Sequence, residues 1–137
     1  MKIHQNQKSS GFTLIELLVV IAIIGILATL TYASLVYTKQ KGYDASKKSN
    51  LRQIALAMEM AYDHNQAYFV SVNIPASISV DESIYLKNMP KDPQGNNYTW
   101  IDNSKNNQSY CVGSDLTLEE FFICDQDGCR ESNINCS

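Results

Sequence analysis

This chain has no proline before Pro75, and the usual catalytic patterns are missing from all of it. Proline breaks helices because it lacks an N–H donor and its ring clashes with the preceding turn, so the first half of the chain is free to form one uninterrupted helix. The two histidines, His4 and His64, have no serine or cysteine nucleophile motif beside them. No phosphate-binding loop, dinucleotide-binding glycine pattern or His-x-x-x-His pair occurs either. These absences argue against an enzyme.

Charge is absent from the whole run between Leu17 and Tyr37. At a rise of ~1.5 Å per residue, a helix of this length crosses a hydrocarbon core of ~30 Å. The carboxylate of Glu16 lies just inside the start of this helix, where burial in lipid costs roughly 2.5 kcal/mol or more. Glu16 is therefore either a residue of the helix start that reaches the headgroups and favours the helix dipole, or a functional group with an ionic partner.

The residues around Glu16 decide between these interpretations. A basic leader, MKIHQNQKSS, is followed by Gly11, Phe12, three further residues and Glu16. This pattern resembles the class III signal peptide of type IV prepilins and type II secretion pseudopilins, and the likeness is close over residues 8 to 38. The resemblance implies that a prepilin peptidase cleaves between Gly11 and Phe12 and methylates the new amino group of Phe12. It also implies that the Glu16 carboxylate meets the Phe12 amino group of a neighbouring subunit in a filament.

The length of 137 residues predicts one domain, and the leader motif, the apolar run and the residue pattern after it divide the chain into four segments. Residues 1–11 form a leader, kept in the cytoplasm by Lys2 and Lys8. Residues 12–38 form the membrane or filament-core half of the helix, 39–68 its amphipathic half, and 69–137 a connecting loop, a small sheet and a cysteine-tied tail. Removal of the leader leaves nine basic and fourteen acidic residues, a net charge of −5, so no nucleic-acid surface is predicted.

The helix is predicted from about Thr13 to about Tyr68. Leu51, Ile54 and Met58 recur at helical spacing and form an apolar stripe that would pack on a sheet. A charged face would point outward or toward neighbours, and it comprises Lys39, Lys41, Lys47, Lys48, Arg52 and Glu59.

The second half of the chain predicts a loop followed by a three-stranded antiparallel meander. Residues 69–97 are rich in turn-forming residues, and the segment from Asp92-Pro93 to Tyr98 is similar to the D-P-W-G-x-x-Y loop of the major type II secretion pseudopilin, with Gln94 in place of tryptophan. The β-prone runs are 97–102, 109–113 and 120–125.

All four cysteines lie close to the C-terminus: Cys111, Cys124, Cys129 and Cys136. An even number in a small exported domain predicts disulfides, and the spacing lacks the paired knuckles of a zinc site. Four cysteines allow three connectivities, among which the sequence alone does not choose, and two of them are favoured. The first joins Cys111 to Cys124 across a hairpin and Cys129 to Cys136, and the second joins Cys124 to Cys129 and Cys111 to Cys136.

Asp125 and Asp127 alternate as the carboxylates of calcium loops do, but the twelfth-position Glu of an EF-hand is missing. Pseudopilins with a loop like that at Asp92 bind calcium in this subdomain, so the resemblance keeps both residues as weak calcium candidates. An Asx-rich turn is the simpler interpretation. No other cofactor is predicted.

These observations predict an α+β, pilin-like fold, in which a long N-terminal helix with a membrane-spanning first half packs on a small antiparallel sheet. The function that the resemblance implies is a structural pilin of a type IV pilus-family filament, anchored in the cytoplasmic membrane by a single pass and then displayed outside the cell. Its implied partners are the peptidase, copies of itself or related pilins, an assembly ATPase and a platform protein. The alternatives are a major-type pseudopilin of type II secretion and, more remotely, a membrane-tethered binding module that does not polymerise.

Overall fold

The computed structural model describes residues 11–117 and 120–136. One helix is followed by six short strands: α1 (Leu14–Asn65), β1 (Ile78–Val80), β2 (Ser83–Leu86), β3 (Thr99–Trp100), β4 (Cys111–Asp115), β5 (Phe121–Asp125) and β6 (Gly128–Ser132). The chain divides between Thr38 and Lys39 into two compact units. Residues 12–38 are called the anchor segment below, and residues 39–137 the head. The predicted α+β class is confirmed.

Helix α1 ends three residues earlier than predicted. Gln66 adopts a left-handed conformation with φ of 56°, and its N–H donates to the Tyr62 carbonyl at 2.7 Å. A residue in this conformation closes a helix, but the position is usually held by glycine or asparagine. The stop was therefore not visible in the sequence.

The core of the head lies between α1 and the sheet. Leu51, Ile54 and Met58 are fully buried on one side of the helix and belong to the same cluster as Val112 and Phe122. Burying each such side chain contributes about 1.5–3 kcal/mol. The predicted apolar stripe is confirmed.

The prediction that Lys47 belongs to the outward charged face is wrong. Its side chain points inward and the residue is 2% exposed. It lies four residues before Leu51, on the core side of the helix. Its Nζ is 3.5 Å from Asp92 Oδ2 and 3.4 Å from Asp115 Oδ1, and it donates to the Asp115 carbonyl at 3.1 Å. Two carboxylates therefore compensate the buried charge.

The sheet has four strands in the order β3-β4-β5-β6, all antiparallel, rather than the three predicted. The missed strand is β6, which carries Arg130 and Glu131 and shows no apolar alternation. A separate hairpin of β1 and β2 lies within the segment predicted as a loop. Its turn contains Asp81, whose φ is 52°.

The disulfides join Cys111 to Cys136 and Cys124 to Cys129, which is the second of the two pairings. The first pairing is wrong because of strand register: Cys111 lies opposite Asp125, and Cys124 lies opposite Val112. Side chains of adjacent positions point to opposite faces of a sheet, so Cys111 faces away from Cys124. Cys129 is the direct cross-strand partner of Cys124.

The C-terminal tail crosses the sheet face that is turned away from the helix. The Cys111–Cys136 bond holds it there, and Asn135 Nδ2 donates to Thr99 Oγ1 at 3.0 Å. Gly113 provides the room, since a Cβ at that position would lie 2.8 Å from Asn135 Oδ1. The tail is therefore an integral layer of the head.

Candidate assembly site

The N-terminus of α1 is closed by a reciprocal pair of hydrogen bonds between Thr13 and Glu16. The backbone N–H of Thr13 donates to Glu16 Oε2 at 2.8 Å, and the Thr13 hydroxyl donates to the same oxygen at 2.9 Å. The Glu16 N–H in turn approaches the Thr13 hydroxyl oxygen at 3.3 Å. This is a capping box, which satisfies N–H groups that the first turn of a helix leaves without partners.

The capping box leaves Glu16 able to take a second partner. Both Thr13 donors bind Oε2, so these bonds do not occupy Oε1. The carboxylate therefore closes its own helix through one oxygen and presents the other to the surroundings. The structural role and the assembly role predicted for Glu16 are compatible with each other.

Gly11 and Phe12, the predicted cleavage residues, precede the helix in an open position. Phe12 is 84% exposed, and a Cβ on Gly11 would meet nothing within 4 Å. The capping box lies wholly on the C-terminal side of the Gly11–Phe12 bond. Lys2 and Lys8 of the predicted leader lie outside the described residues.

The anchor segment is an apolar surface that residues 11–117 and 120–136 leave largely exposed. Its large apolar side chains, from Phe12 to Tyr37, are 44–88% exposed. The helix is long enough to cross a membrane and contains an 18-residue stretch with a mean hydropathy of 2.7. Two threonine hydroxyl groups in this segment donate to helix carbonyls, Thr29 to Ile26 at 2.8 Å and Thr38 to Ser34 at 2.9 Å. These two hydroxyl groups therefore have hydrogen-bond partners even in an apolar surrounding. Such a surface needs lipid or other helices around it.

The calcium candidates in the head form a tight turn between β5 and β6. The Asp127 N–H donates to Asp125 Oδ1 at 3.0 Å, as in an Asx turn. Arg130 binds both oxygens of Asp125, with distances of 2.8 Å and 2.7 Å. A calcium ion on Asp125 would have to displace this guanidinium group. Among the described residues, no three His, Cys, Asp or Glu side chains come together as metal ligands would.

The same ion pair changes the acidity of Asp125. The hydrogen bond from Arg130 holds the pKa of the Asp125 carboxyl below its ordinary value, although partial burial opposes this effect. Asp125 is therefore ionised whenever the fold is intact near neutral pH.

A second carboxylate, Glu59, holds two tyrosines at the far end of the core. Tyr68 and Tyr110 donate their hydroxyl groups to Glu59 Oε1 at 3.2 Å and 3.4 Å, and their rings lie 4.8 Å apart. Burial, followed by the Glu59 charge, raises the pKa of Tyr68 to about 12. The cluster holds Tyr68, three residues after the end of α1, against Glu59 of that helix.

The Asp92-Pro93 loop is attached to the helix by groups that sequence reasoning missed. Asp92 Oδ1 accepts the Gln94 N–H at 2.6 Å, and Asp92 Oδ2 is buried without a hydrogen bond, facing the Lys47 ammonium group. The sequence contained one signal for this, since Lys47 falls in register with Leu51 and Met58 on the core stripe.

An apolar N-terminal helix that begins at a Gly-Phe-x-x-x-Glu motif and continues into a small disulfide-tied α+β head defines a pilin-like subunit. A model of the prokaryotic N-terminal methylation motif matches residues 6–32. The type II secretion system core protein G of Aeromonas hydrophila is 34% identical over 108 residues, which cover 71% of this chain and 76% of that protein. The protein of the same description from Pseudomonas aeruginosa is 32% identical over the same shares of both chains. The chain belongs to the superfamily of type IV pilins and type II secretion pseudopilins.

The likeness to a pilin of the pilus branch is shorter. The type IV major pilin protein PilA of Myxococcus xanthus is 33% identical over 63 residues, which cover 46% of this chain and 29% of that pilin. Members of the superfamily are structural subunits that assemble into filaments with related subunits.

Proposed function

We propose that this protein is a structural filament subunit, cleaved between Gly11 and Phe12, methylated on the Phe12 amino group and polymerised from the cytoplasmic membrane. The observation that carries the proposal is the anchor segment, a largely exposed apolar helix whose first turn holds a carboxylate with one oxygen left for a partner. A prepilin peptidase, an assembly ATPase and a platform protein are the partners that such a subunit requires.

The extent of the likeness favours the pseudopilin branch. The relatives called type II secretion core protein G match well beyond the anchor segment, over 71% of this chain, whereas the match to the type IV pilin PilA covers 46% of it. The type IV pilin predicted from sequence is the second candidate. The two disulfides of the head favour it, because they suit a subunit displayed outside the cell.

Cleavage would create the partner for Glu16. The new amino group of Phe12 is positively charged, and in a bundle of helices it would face the Glu16 carboxylate of an adjacent subunit. Opposite charges attract strongly in a medium of low dielectric constant, and an ion pair of this kind sets register as well as affinity. Because the capping box survives cleavage, the helix start would be ready before assembly.

Substitution of Glu16 by glutamine separates the two roles of this residue. The amide oxygen can still accept from Thr13, as glutamine does in capping boxes, but the charge is gone. We expect Glu16→Gln to insert in the membrane and to be cleaved, yet to be lost from filaments imaged by electron microscopy. Thr13→Ala is the matched control: it removes the hydroxyl bonds, costs about 1 kcal/mol of helix stability, and retains the charge, so it should assemble.

Normal filaments of Glu16→Gln would contradict the ionic pairing and leave Glu16 as a helix cap. A wild-type chain that stays uncut and never enters a filament would favour the membrane-tethered module instead.

A further inference from the structure

A groove opens on the face of the sheet that is turned away from α1. One wall is the C-terminal tail, which the Cys111–Cys136 bond holds against the sheet, and the other wall is the loop between β3 and β4. We call the space between residues 101–110 and 134–136 the tail groove. Its volume is about 470 Å³, within the range of ~300–1,000 Å³ that is usual for small-ligand sites. The proposed filament role does not account for it.

The floor of the tail groove is apolar as a result of the strand register. Trp100 and Phe122 pack in or against the core, so the residues that follow them, Ile101 and Ile123, point to the opposite face of the sheet. Both of these isoleucines line the groove. Ile134 of the tail adds a third apolar side chain, which is 68% exposed. A ligand in the groove can therefore cover apolar surface.

The walls of the tail groove carry side-chain amides with unused hydrogen-bonding capacity. Asn106 Nδ2 donates to the Ser109 hydroxyl oxygen at 2.9 Å, and Asn135 Nδ2 donates to Thr99 Oγ1 at 3.0 Å. A carboxamide can donate and accept more than once. Each amide therefore keeps a donor and an acceptor position for a ligand.

One end of the tail groove is formed by the ion pair of Asp125 and Arg130. The pair engages one N–H on each terminal nitrogen of Arg130, so the guanidinium group, whose side chain is 49% exposed, keeps further donors. Among the described residues that line the groove, the only other charged side chain belongs to Asp102. The groove therefore has no excess positive charge to attract an anion, and the carboxylate that a cation would need already binds Arg130.

An apolar floor, amide walls and a compensated ion pair suit a neutral ligand that has an apolar face and many hydroxyl groups. A sugar has this chemistry, because the C–H bonds of a pyranose ring form an apolar face and each hydroxyl group at its edge both donates and accepts. We propose that the tail groove binds a neutral mono- or disaccharide unit. A ring face lies on Ile123 and Ile134, and the hydroxyl groups bind the donors and acceptors of Asn106, Asn135 and Arg130. This site is independent of filament assembly.

Ligand-observed NMR tests the site on the full chain, held in dodecylphosphocholine because this detergent has no sugar headgroup. The neutral probes are maltose, lactose, cellobiose and N,N′-diacetylchitobiose, and galacturonic acid is the charged counterpart. We expect saturation transfer to at least one neutral probe and little to the acid. A preference for N,N′-diacetylchitobiose would indicate an amino-sugar polymer such as that of a cell wall, whereas a preference for the others would indicate a glycan without amino sugars.

A charge on the apolar wall tests where the sugar binds. Ile134→Asp should weaken binding about tenfold, because it puts a hydrated carboxylate where the ring face would lie. Ile84→Asp is the matched control. Ile84 is 66% exposed and lies on β2, outside the groove, so this variant should bind as the wild type does.

The two disulfides provide a second pair of matched variants. Replacement of Cys111 and Cys136 by alanine removes the bond that holds one wall of the groove, and it should abolish binding. Replacement of Cys124 and Cys129 leaves that bond in place, and binding should be retained.

Absence of transfer to all four neutral probes at about 10 mM would overturn the saccharide proposal. Binding of galacturonic acid alone would overturn the neutral class and indicate an anion at Arg130. Binding that Ile134→Asp leaves unchanged, or that Ile84→Asp weakens equally, would place the sugar elsewhere and overturn the groove as its site. None of these results bears on filament assembly, which the Glu16→Gln variant tests separately.

Discussion

Lys47 and Asp92 are the residues whose burial most constrains the head. Their side chains are 3% and 1% exposed, and the buried Asp92 Oδ2 has the Lys47 charge as its compensation in place of a hydrogen bond. Removal of one member of a buried pair leaves an uncompensated charge, which costs far more than the pair itself contributes.

Lys47→Met is therefore expected to destabilise the protein by roughly 3–5 kcal/mol, as measured by urea unfolding in detergent. Lys48→Met is the matched control. Lys48 is the next residue along and pairs with Glu131 at the surface, so its loss should cost less than about 1 kcal/mol. Equal losses in the two variants would mean that Asp92 gains little from Lys47.

Asp125 gives the head a dependence on acid. Its pKa is lower in the folded protein than in the unfolded chain, so its ion pair stabilises the fold fully above the unfolded value of about 3.9. The contribution is lost as the pH falls through the lower, folded pKa.

We expect Arg130→Gln to be less stable than the wild type at pH 7 and the difference to shrink as the pH falls below about 4. Urea unfolding between pH 7 and pH 2.5 measures this. A difference that is constant over the whole range would show that Arg130 acts by packing alone. Arg130→Gln also frees both Asp125 oxygens from the guanidinium group, so stabilisation of this variant by added calcium would show that Asp125 can bind a cation.

At the candidate assembly site, the sequence predicted Glu16 and Phe12 as assembly residues, and their role in a filament stays a prediction. The capping box was not predicted, although Thr13 and Glu16 stand three positions apart, which is the spacing that could have indicated it. Both Thr13 donors bind Oε2 of Glu16 and not Oε1. This choice depends on the rotamer of Glu16, which no pattern of residue types encodes.

At the scale of elements, the tail and the β5–β6 hairpin are each held by a disulfide, and the two bonds close loops of different length. The sequence separation is 25 for Cys111–Cys136 and 5 for Cys124–Cys129. A bond that closes a longer loop removes more entropy from the unfolded chain, about 3.5 kcal/mol against about 2 kcal/mol in the chain-entropy description.

Replacement of Cys111 and Cys136 by alanine should therefore lower stability more than replacement of Cys124 and Cys129 does. It should also release the tail from the sheet. Digestion with a carboxypeptidase distinguishes the variants: the tail should be trimmed rapidly only when Cys111 and Cys136 are absent. Rapid trimming of the wild type would contradict the layered position of the tail.

The elements differed in how far the sequence revealed them. Helix α1 and its core stripe follow from periodicity at Leu51, Ile54 and Met58, with no proline to interrupt it. Strand β6 is different, because Arg130 and Glu131 lie on an edge strand and the pattern of burial there follows the disulfide at Cys129 rather than hydrophobicity. The pairing of Cys111 depended on a register shift of one residue, which composition does not encode.

At the scale of the whole molecule, cleavage, methylation and disulfide formation each change the mass of the chain. We expect sheared filaments to contain a chain that begins at Phe12, carries one additional methyl group and is four hydrogens lighter before reduction than after it. Intact mass spectrometry with and without reductant measures all three features together. A chain that begins at Met1 would contradict the proposed processing.

The location of that processed chain distinguishes the branches. Material recovered by shearing from the cell surface would favour a pilus subunit, whereas processed protein that stays with the membrane fraction would favour a type II secretion pseudopilin. Both outcomes retain the superfamily, which the relatives and the fold already establish.

The bond between Cys111 and Cys136 has a mechanical consequence. The two Cα atoms lie 5.8 Å apart, although 25 positions separate them along the chain. Fully stretched, that segment would span ~85 Å at the usual reach per residue. When a subunit is pulled from its two ends, the load passes directly through the sulfur atoms, so the strands between these cysteines bear none of it. A subunit under tension can lengthen by unravelling what precedes Cys111, but residues 111–136 cannot be drawn out while this disulfide is intact.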